Sequence, residues 1–209
     1  MAAASGWAVT MLSLRPDLQD DLVELGCGVG TLTVPLARLF PRVWACEQGE
    51  QNADVAMETM RRNSLSHVRV WRQQSDVMLN AVVAHRRGSK ASPAAASLCN
   101  EFRRANARFG ALVCSKRRGG LGGMIRQVAI FPRILYYSQD LPALAEDLQQ
   151  LLKTHEVRGC AFFDLVPHTK AVEVACYLER LNLDDELKRG GKSSPDASRM
   201  FARGRSGPG

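Results

Sequence analysis

Aromatic side chains are scarce in this 209-residue chain: three Trp, three Tyr and seven Phe, scattered along its length. Without interleaved aromatics there is no platform on which bases could stack, so contact with a nucleic acid would rest mainly on charge and shape. No run of about 18 apolar residues occurs, and no helical membrane span is expected. Met1 to Ala8 is small and apolar but lacks the basic flank and long apolar stretch of a secretion signal. No transit peptide is evident either. The six cysteines (Cys27, Cys46, Cys99, Cys114, Cys160 and Cys176) form no CxxC pair and no metal-like spacing with the four histidines. Reduced, mostly buried thiols are therefore expected, with neither a zinc site nor a disulfide framework, in an intracellular reducing compartment.

Acids are outnumbered. Lys and Arg total 28 against 21 Asp and Glu, a net charge of +7 that leans toward an anionic partner without naming an activity. Between Ala81 and Gly120 the imbalance is steepest: nine Lys or Arg face one acid, Glu101. Residues 81–109 are rich in Ala, Ser and Arg and read as a basic, partly disordered insertion. The stretch 187–209 carries Gly, Ser, Pro and Arg without periodicity and reads as a disordered basic tail, leaving one domain over 1–186.

Outside those stretches, strands and helices alternate. Helices are predicted over Ala3–Leu14, Thr31–Phe40, Gln51–Asn63, Gly122–Ile130 and Leu141–Thr154, the last with Leu144, Leu148, Leu151 and Leu152 on one face. Strands are predicted over Asp21–Leu25, Arg42–Cys46, Val68–Trp71, Phe109–Cys114, Arg133–Tyr137, Cys160–Val166 and Val172–Leu178, the last two joined by the Pro167-His168-Thr169 turn. The alternation argues for an α/β fold, an open, mostly parallel sheet with helices on both faces.

The most specific local pattern is Glu24-Leu25-Gly26-Cys27-Gly28-Val29-Gly30. Gly26, Gly28 and Gly30 let the backbone turn sharply after a strand and let a ligand approach the main chain. The helix that follows offers free N–H groups. The spacing is not the GxGxxG of dinucleotide folds, and no GK[ST] follows to make a P-loop. Glu47 ends the second predicted strand, where a carboxylate can accept hydrogen bonds from both hydroxyls of a ribose.

This pattern resembles the E-x-G-x-G-x-G loop of class I methyltransferases. The resemblance implies a Rossmann-like, seven-stranded, mostly parallel sheet with an antiparallel final strand, and S-adenosylmethionine as cofactor. Glu24, Gly26, Gly28, Gly30 and Glu47 would then be cofactor contacts, with Asp76, beside Ser75 after the third strand, near the adenine. The segments FPRILYYSQDLPALAEDLQQLL (131–152) and THEVRGCAFFDLVPHTKAVEVACYLE (154–179) are similar to the C-terminal half of the RNA uracil-5-methyltransferases. The likeness covers most of residues 5–180 outside the basic insertion. In that family a cysteine thiolate attacks C6 of uracil, so that C5 accepts the methyl group, and a base then removes the C5 proton.

Against that pattern the chain departs at two places. The family's Ser-Cys-Asn-Pro segment matches Ser138-Gln139-Asp140-Leu141, so Gln139 stands where the nucleophile would be. A carboxamide has a delocalised nitrogen lone pair and no thiolate form. The family's Asp-Pro-Pro-Arg loop matches Ser115-Lys116-Arg117-Arg118, a change that raises affinity for phosphate at Lys116, Arg117 and Arg118. The base position is kept as Glu173. Cys114, one residue before the altered loop, is the candidate substitute nucleophile. Family members also carry an N-terminal RNA-binding part, and this chain begins near the family's first catalytic-domain helix; either that part is lost or the sequence is a fragment.

These residues imply a degenerate uracil-5-methyltransferase-like protein, catalytically inactive, acting as an RNA- or ribonucleoprotein-binding assembly component, with tRNA or rRNA and possible protein partners. A mitochondrial setting suits its basic, eroded character, with the cytoplasm as the alternative. The competing expectation is an active S-adenosylmethionine-dependent methyltransferase, on uracil or on another target. A third is a module that docks acidic proteins through residues 86–118.

Overall fold

In the computed structural model the described residues are 2–14, 20–116, 118–164, 168 and 172–181. The DLVEL run is buried at every position and forms β1 (Asp21–Leu25), as a strand covered on both faces should be. β2 (Val43–Glu47) and β3 (Val68–Arg72) follow on one side, and β4 (Phe109–Lys116) and β5 (Arg133–Ser138) on the other. These pairings are all parallel. β6 (His155–Phe163) and β7 (Glu173–Arg180) complete the order β3-β2-β1-β4-β5-β7-β6. β7 slots between β5 and β6, antiparallel to both.

Helices cover both faces. α1 (Ala2–Ser13), α2 (Thr33–Ala37) and α3 (Glu50–Arg62) lie on one side, against Leu22, Val43, Val113, Leu135 and Tyr177. α4 (Ser75–Arg87), α5 (Ala96–Arg104), α6 (Ile125–Val128) and α7 (Leu141–Leu151) lie on the other, against Val23, Trp44, Leu112 and Tyr136. α1 reaches across to β6, where a Cβ on Gly159 would stand 2.9 Å from Met11 Sδ. The Tyr137 hydroxyl donates to the Ala4 carbonyl at 2.8 Å. α1 thereby closes one wall over the end of β5.

Three expectations need correction. Residues 81–109 are not a partly disordered insertion. They hold the second half of α4, a 3-10 turn at Pro93–Ala95 and α5. Leu98, Cys99 and Phe102 are buried, and the Phe102 ring meets Trp44 and Phe109 edge-on, each at 5.0 Å between centroids. The basic side chains Arg86, Arg87, Arg103, Arg104 and Arg108 stay exposed, so the composition belongs to one face of packed helices. Second, α2 is confined to Thr33–Ala37. Its start is taken up by the glycine loop, where Val34 N–H bonds Gly30 O, and Pro41 bars Phe40 from helix. The helix expected over Gly122–Ile130 is likewise split into a 3-10 turn and the four-residue α6, since Gly122 and Gly123 are poor helix formers. Third, β6 begins at His155, whose Nε2 lies 2.8 Å from Phe131 O. Leu165 and Val166, the Pro167 and Thr169 ends of the predicted turn, Arg117 and the stretch 187–209 lie outside the described residues. Among the described residues no helix is long and apolar enough to cross a membrane.

Candidate cofactor site

The chain reverses direction across the sheet between β1 and β4, which are neighbours in space but not in sequence. Ligands of open α/β sheets bind at such a switch point, beyond the carboxyl ends of the strands. A cavity of about 570 Å³ lies there, lined by the ends of β1, β2, β4 and β5 and the start of β7.

The glycine loop forms its floor. Gly26 N–H and Cys27 N–H both donate to Cys46 O, at 2.9 and 3.1 Å, tying the loop to β2. Gly28 has φ +57° and open space where a Cβ would stand, so its bare main chain faces the cavity. Gly30 has φ +92°, and a Cβ there would lie 2.6 Å from Met60 Cε. A side chain at Gly30 would be strained at that φ and would force the Met60 methyl aside.

The two acids play different parts. Glu47 braces the loop: its Oε2 accepts from Gly28 N–H at 3.0 Å and its Oε1 from Gly49 N–H at 2.8 Å. Each carboxylate oxygen keeps a further lone pair for a ligand. Glu24 is buried at 1% exposure, and its Oε2 has no hydrogen-bond partner. Burial pushes its pKa up to about 7; the Thr33 hydroxyl offsets part of that but makes no hydrogen bond of normal geometry with it. A buried polar atom left alone in a cavity wall asks for a partner supplied from outside the chain.

That carboxyl has a measurable consequence. With a folded pKa of about 7 against an ordinary 4.5, Glu24 contributes stability that is full below pH 4.5 and is lost as the pH climbs through 7. The loss is on the order of 3 kcal/mol. Glu24→Gln is expected to flatten the ligand-free stability curve across that window and to raise Tm at pH 8 by several degrees. Thermal melts at pH 5 and pH 8 check this; an unchanged pH dependence contradicts it.

The other predicted residues divide. Glu173 lines the cavity at the start of β7, close enough to Tyr137 that its charge, after burial, helps push the phenol pKa up. Ser115 and Lys116, the last two residues of β4, and Arg118 in the loop beyond also line it. Asp76 is exposed, its Oδ1 accepting from Val77 N–H at 2.9 Å; the neighbouring Ser75 lines the cavity instead. Gln139 is exposed, with its N–H bonded to Lys116 O at 3.0 Å, and is not part of the cavity wall. Cys114 offers no substitute. It packs in the core on the α4–α7 side, and burial pushes its thiol strongly up. Cys27, in the loop, is pushed up by burial and then by Glu24.

Several contributors were not singled out from the sequence. Asp140 caps α7 by accepting from Ala143 N–H at 3.2 Å, and its other oxygen accepts from Gly119 N–H at 2.9 Å. Those bonds, Gly119's first, hold its pKa below the usual carboxylate range. The buried Asp147 accepts from Leu121 N–H and from the Tyr136 hydroxyl, both at 2.6 Å. Two carboxylates of the α7 region therefore hold the basic loop in place. Among the described residues no group of three His, Cys, Asp or Glu is close enough to hold a metal.

The family model described as tRNA (uracil-5-)-methyltransferase matches residues 3–181. The chain belongs to that family. Within the tRNA (uracil-5-)-methyltransferases it is similar to the tRNA/tmRNA (uracil-C(5))-methyltransferase of a Nitratiruptor species, 33% identical over 174 residues that cover 80% of this chain and 44% of the relative. The enzyme of that name from Pseudomonas aeruginosa is 31% identical over 179 residues, covering 84% and 46%. The chain thus spans under half the length of the curated relatives it matches. The structure of Pyrococcus abyssi tRNA (uracil-54, C5)-methyltransferase, in complex with S-adenosyl-L-homocysteine, superposes with a TM-score of 0.57 at 19% identity, over 84% of this chain and 38% of that one. A Streptococcus thermophilus rRNA methylase gives 0.56 at 12% identity, over 84% and 95%. The fold is that of the class I S-adenosylmethionine-dependent methyltransferases. The relatives bear the names of enzymes, and an inactive assembly role draws no support from them.

Proposed function

We propose that this chain is the S-adenosylmethionine-binding domain of an RNA methyltransferase, and that it does not run the covalent route to uracil C5. The observation that carries the reading is the pairing of an intact cradle with an exposed Gln139. The residues present fit the cofactor. The unpartnered Oε2 of Glu24 suits its ammonium group, the spare lone pairs of Glu47 suit the ribose hydroxyls, and Gly28 leaves room for the ligand against the main chain. When bound, the cofactor supplies an electrophilic methyl group. Glu173 is in place to take a proton, but without an adduct at C6 the C5 proton is not made acidic.

RNA contact at the cavity falls to Lys116 and Arg118. The exposed arginines of α4 and α5 serve another part of the surface: Arg86 bonds Ile130 O, just before β5 begins, at the far end of the sheet. Replacing Lys116 and Arg118 together by Gln is expected to lower the slope of log affinity against log salt by about 1.5 for a tRNA transcript. Filter binding across a salt series reads this directly, and an unchanged slope removes both residues from the interface.

A second reading is methyl transfer to an atom that needs no C6 adduct. It is favoured by Glu173, Tyr137 and Lys116 sharing one cavity with the glycine loop; the relatives' names support methyl transfer as such but specify uracil C5. One assay separates the two. The chain is incubated with methyl-labelled cofactor and a uridine-containing tRNA transcript, and the digested nucleosides are separated. No label in any nucleoside supports the first reading, label in a nucleoside other than ribothymidine supports the second, and robust ribothymidine overturns both.

A further inference from the structure

Cys160 and Cys176 stand directly opposite one another where β6 pairs antiparallel with β7. Their sulfurs lie 3.5 Å apart. Directly opposed antiparallel residues have Cα separations within the range a disulfide spans. All six cysteines are among the described residues; five are buried, and Cys160 is exposed on the edge strand. We propose that Cys160 and Cys176 form a redox-active dithiol, in which exposed Cys160 attacks the oxidant first and Cys176 closes the disulfide. This does not depend on the cofactor reading.

The two thiols are chemically unequal. The S–H of Cys176 donates to a thiolate on Cys160 and holds the Cys160 pKa below the usual thiol range, outweighing its partial burial. The same bond, followed by burial, pushes Cys176 far up. Elsewhere burial pushes Cys46 up to about 12 and Cys27 and Cys114 higher still. Cys160 is therefore the thiol that ionises within reach of solvent.

The reaction balances with a low-molecular-weight disulfide as oxidant. The Cys160 thiolate attacks one sulfur of the reagent, forming a mixed disulfide and expelling one thiolate, which takes up the proton Cys160 had lost. Capped, Cys160 no longer carries the charge that held the proton on Cys176. Cys176 then loses its proton and attacks the Cys160 sulfur, expelling the second thiolate, which takes that proton. Two protein thiols are oxidised and one reagent disulfide is reduced to two thiols. The bond would pin edge strand β6 to β7. Cys176 packs with Val174 and Leu178 on the α4–α7 side, whereas neighbouring Ala175 and Tyr177 pack on the α1–α3 side with the cavity residue Tyr137. Oxidation therefore leaves the cavity open.

The test equilibrates the full chain with mixtures of reduced and oxidised glutathione, quenches with acid, and reads intact mass and linked peptides. The expected product lacks two hydrogens, carries a Cys160–Cys176 link, reverts with dithiothreitol, and melts about 5 °C higher than the reduced chain. Cys176→Ser is expected to stop at a glutathione adduct on Cys160. Cys160→Ser, at an exposed position, is expected to form neither product while keeping its circular dichroism spectrum. An unresolved adduct in the unaltered chain, a link between other cysteines, or six free thiols under the oxidising mixture overturns the proposal.

Discussion

Glu47→Ala is expected to weaken S-adenosylmethionine binding by about 100-fold or more, with the domain still folded. The reason lies in the double duty of one carboxylate. Its two oxygens hold Gly28 N–H in the glycine loop and Gly49 N–H after β2. Removing it leaves both N–H groups without an acceptor, frees the glycine loop to move, and deletes the lone pairs that would receive the ribose hydroxyls. Charge-assisted hydrogen bonds are worth about 1.5–3 kcal/mol each, so losing two of them on binding accounts for the expected change. The fold should survive, because the residue sits at the end of β2 and the ladder to β3 is made by the main chain. Calorimetric titration gives the affinity and circular dichroism the fold. Glu47→Gln keeps one acceptor oxygen and should fall between the two. Affinity equal to that of the unaltered chain would mean that the cofactor is not seated on this loop.

The second large effect concerns covalent chemistry. The unaltered chain is expected to form no stable thioether with RNA carrying 5-fluorouridine, whereas Gln139→Cys should form one. Position 139 directly follows β5, with its N–H fixed to Lys116 O, and Asp140 behind it caps α7 and ties down Gly119. Main-chain support for a nucleophile is thus in place while the side chain is not. Loss of a nucleophile in covalent catalysis costs on the order of 10⁴-fold or more, so the comparison is close to all or none. The variant should remain slower than a full enzyme, since Ser115 and Lys116 have replaced the acid and a rigid proline that the family loop presents. Denaturing gel shift of labelled RNA reads the adduct. An adduct in the unaltered chain would mean that another cysteine reacts, either Cys27, which lines the cavity but whose thiol burial and Glu24 push up, or the core residue Cys114.

The glycine loop, Glu47 and most strands could be read from the sequence because each is a local pattern. A short, largely apolar run becomes a buried strand, and glycines at alternate positions become a turn. What was hidden depends on partners remote in sequence. Residues 81–109 look like a solvated insertion because Ala, Ser and Arg dominate, and the stripe of Leu98, Cys99 and Phe102 is too narrow to stand out until Trp44 and Phe109 meet it. The first half of β6 is masked by Gly159, which breaks the alternation but is the residue that lets Met11 approach. Asp140 and Asp147 look like ordinary helix acids; only the fold brings Gly119 and Leu121 to them. The roles of Glu24 and Glu47 also became distinct only in three dimensions, one as an orphan and the other as a brace.

Direct titration of the purified chain with S-adenosylmethionine in a calorimeter, at pH 8 where Glu24 is charged, tests the account where it is most exposed. One cofactor per chain, bound in the micromolar range and lost in Glu47→Ala, is the predicted result. No heat at millimolar cofactor, from protein whose circular dichroism and melting are those of a folded domain, would contradict it.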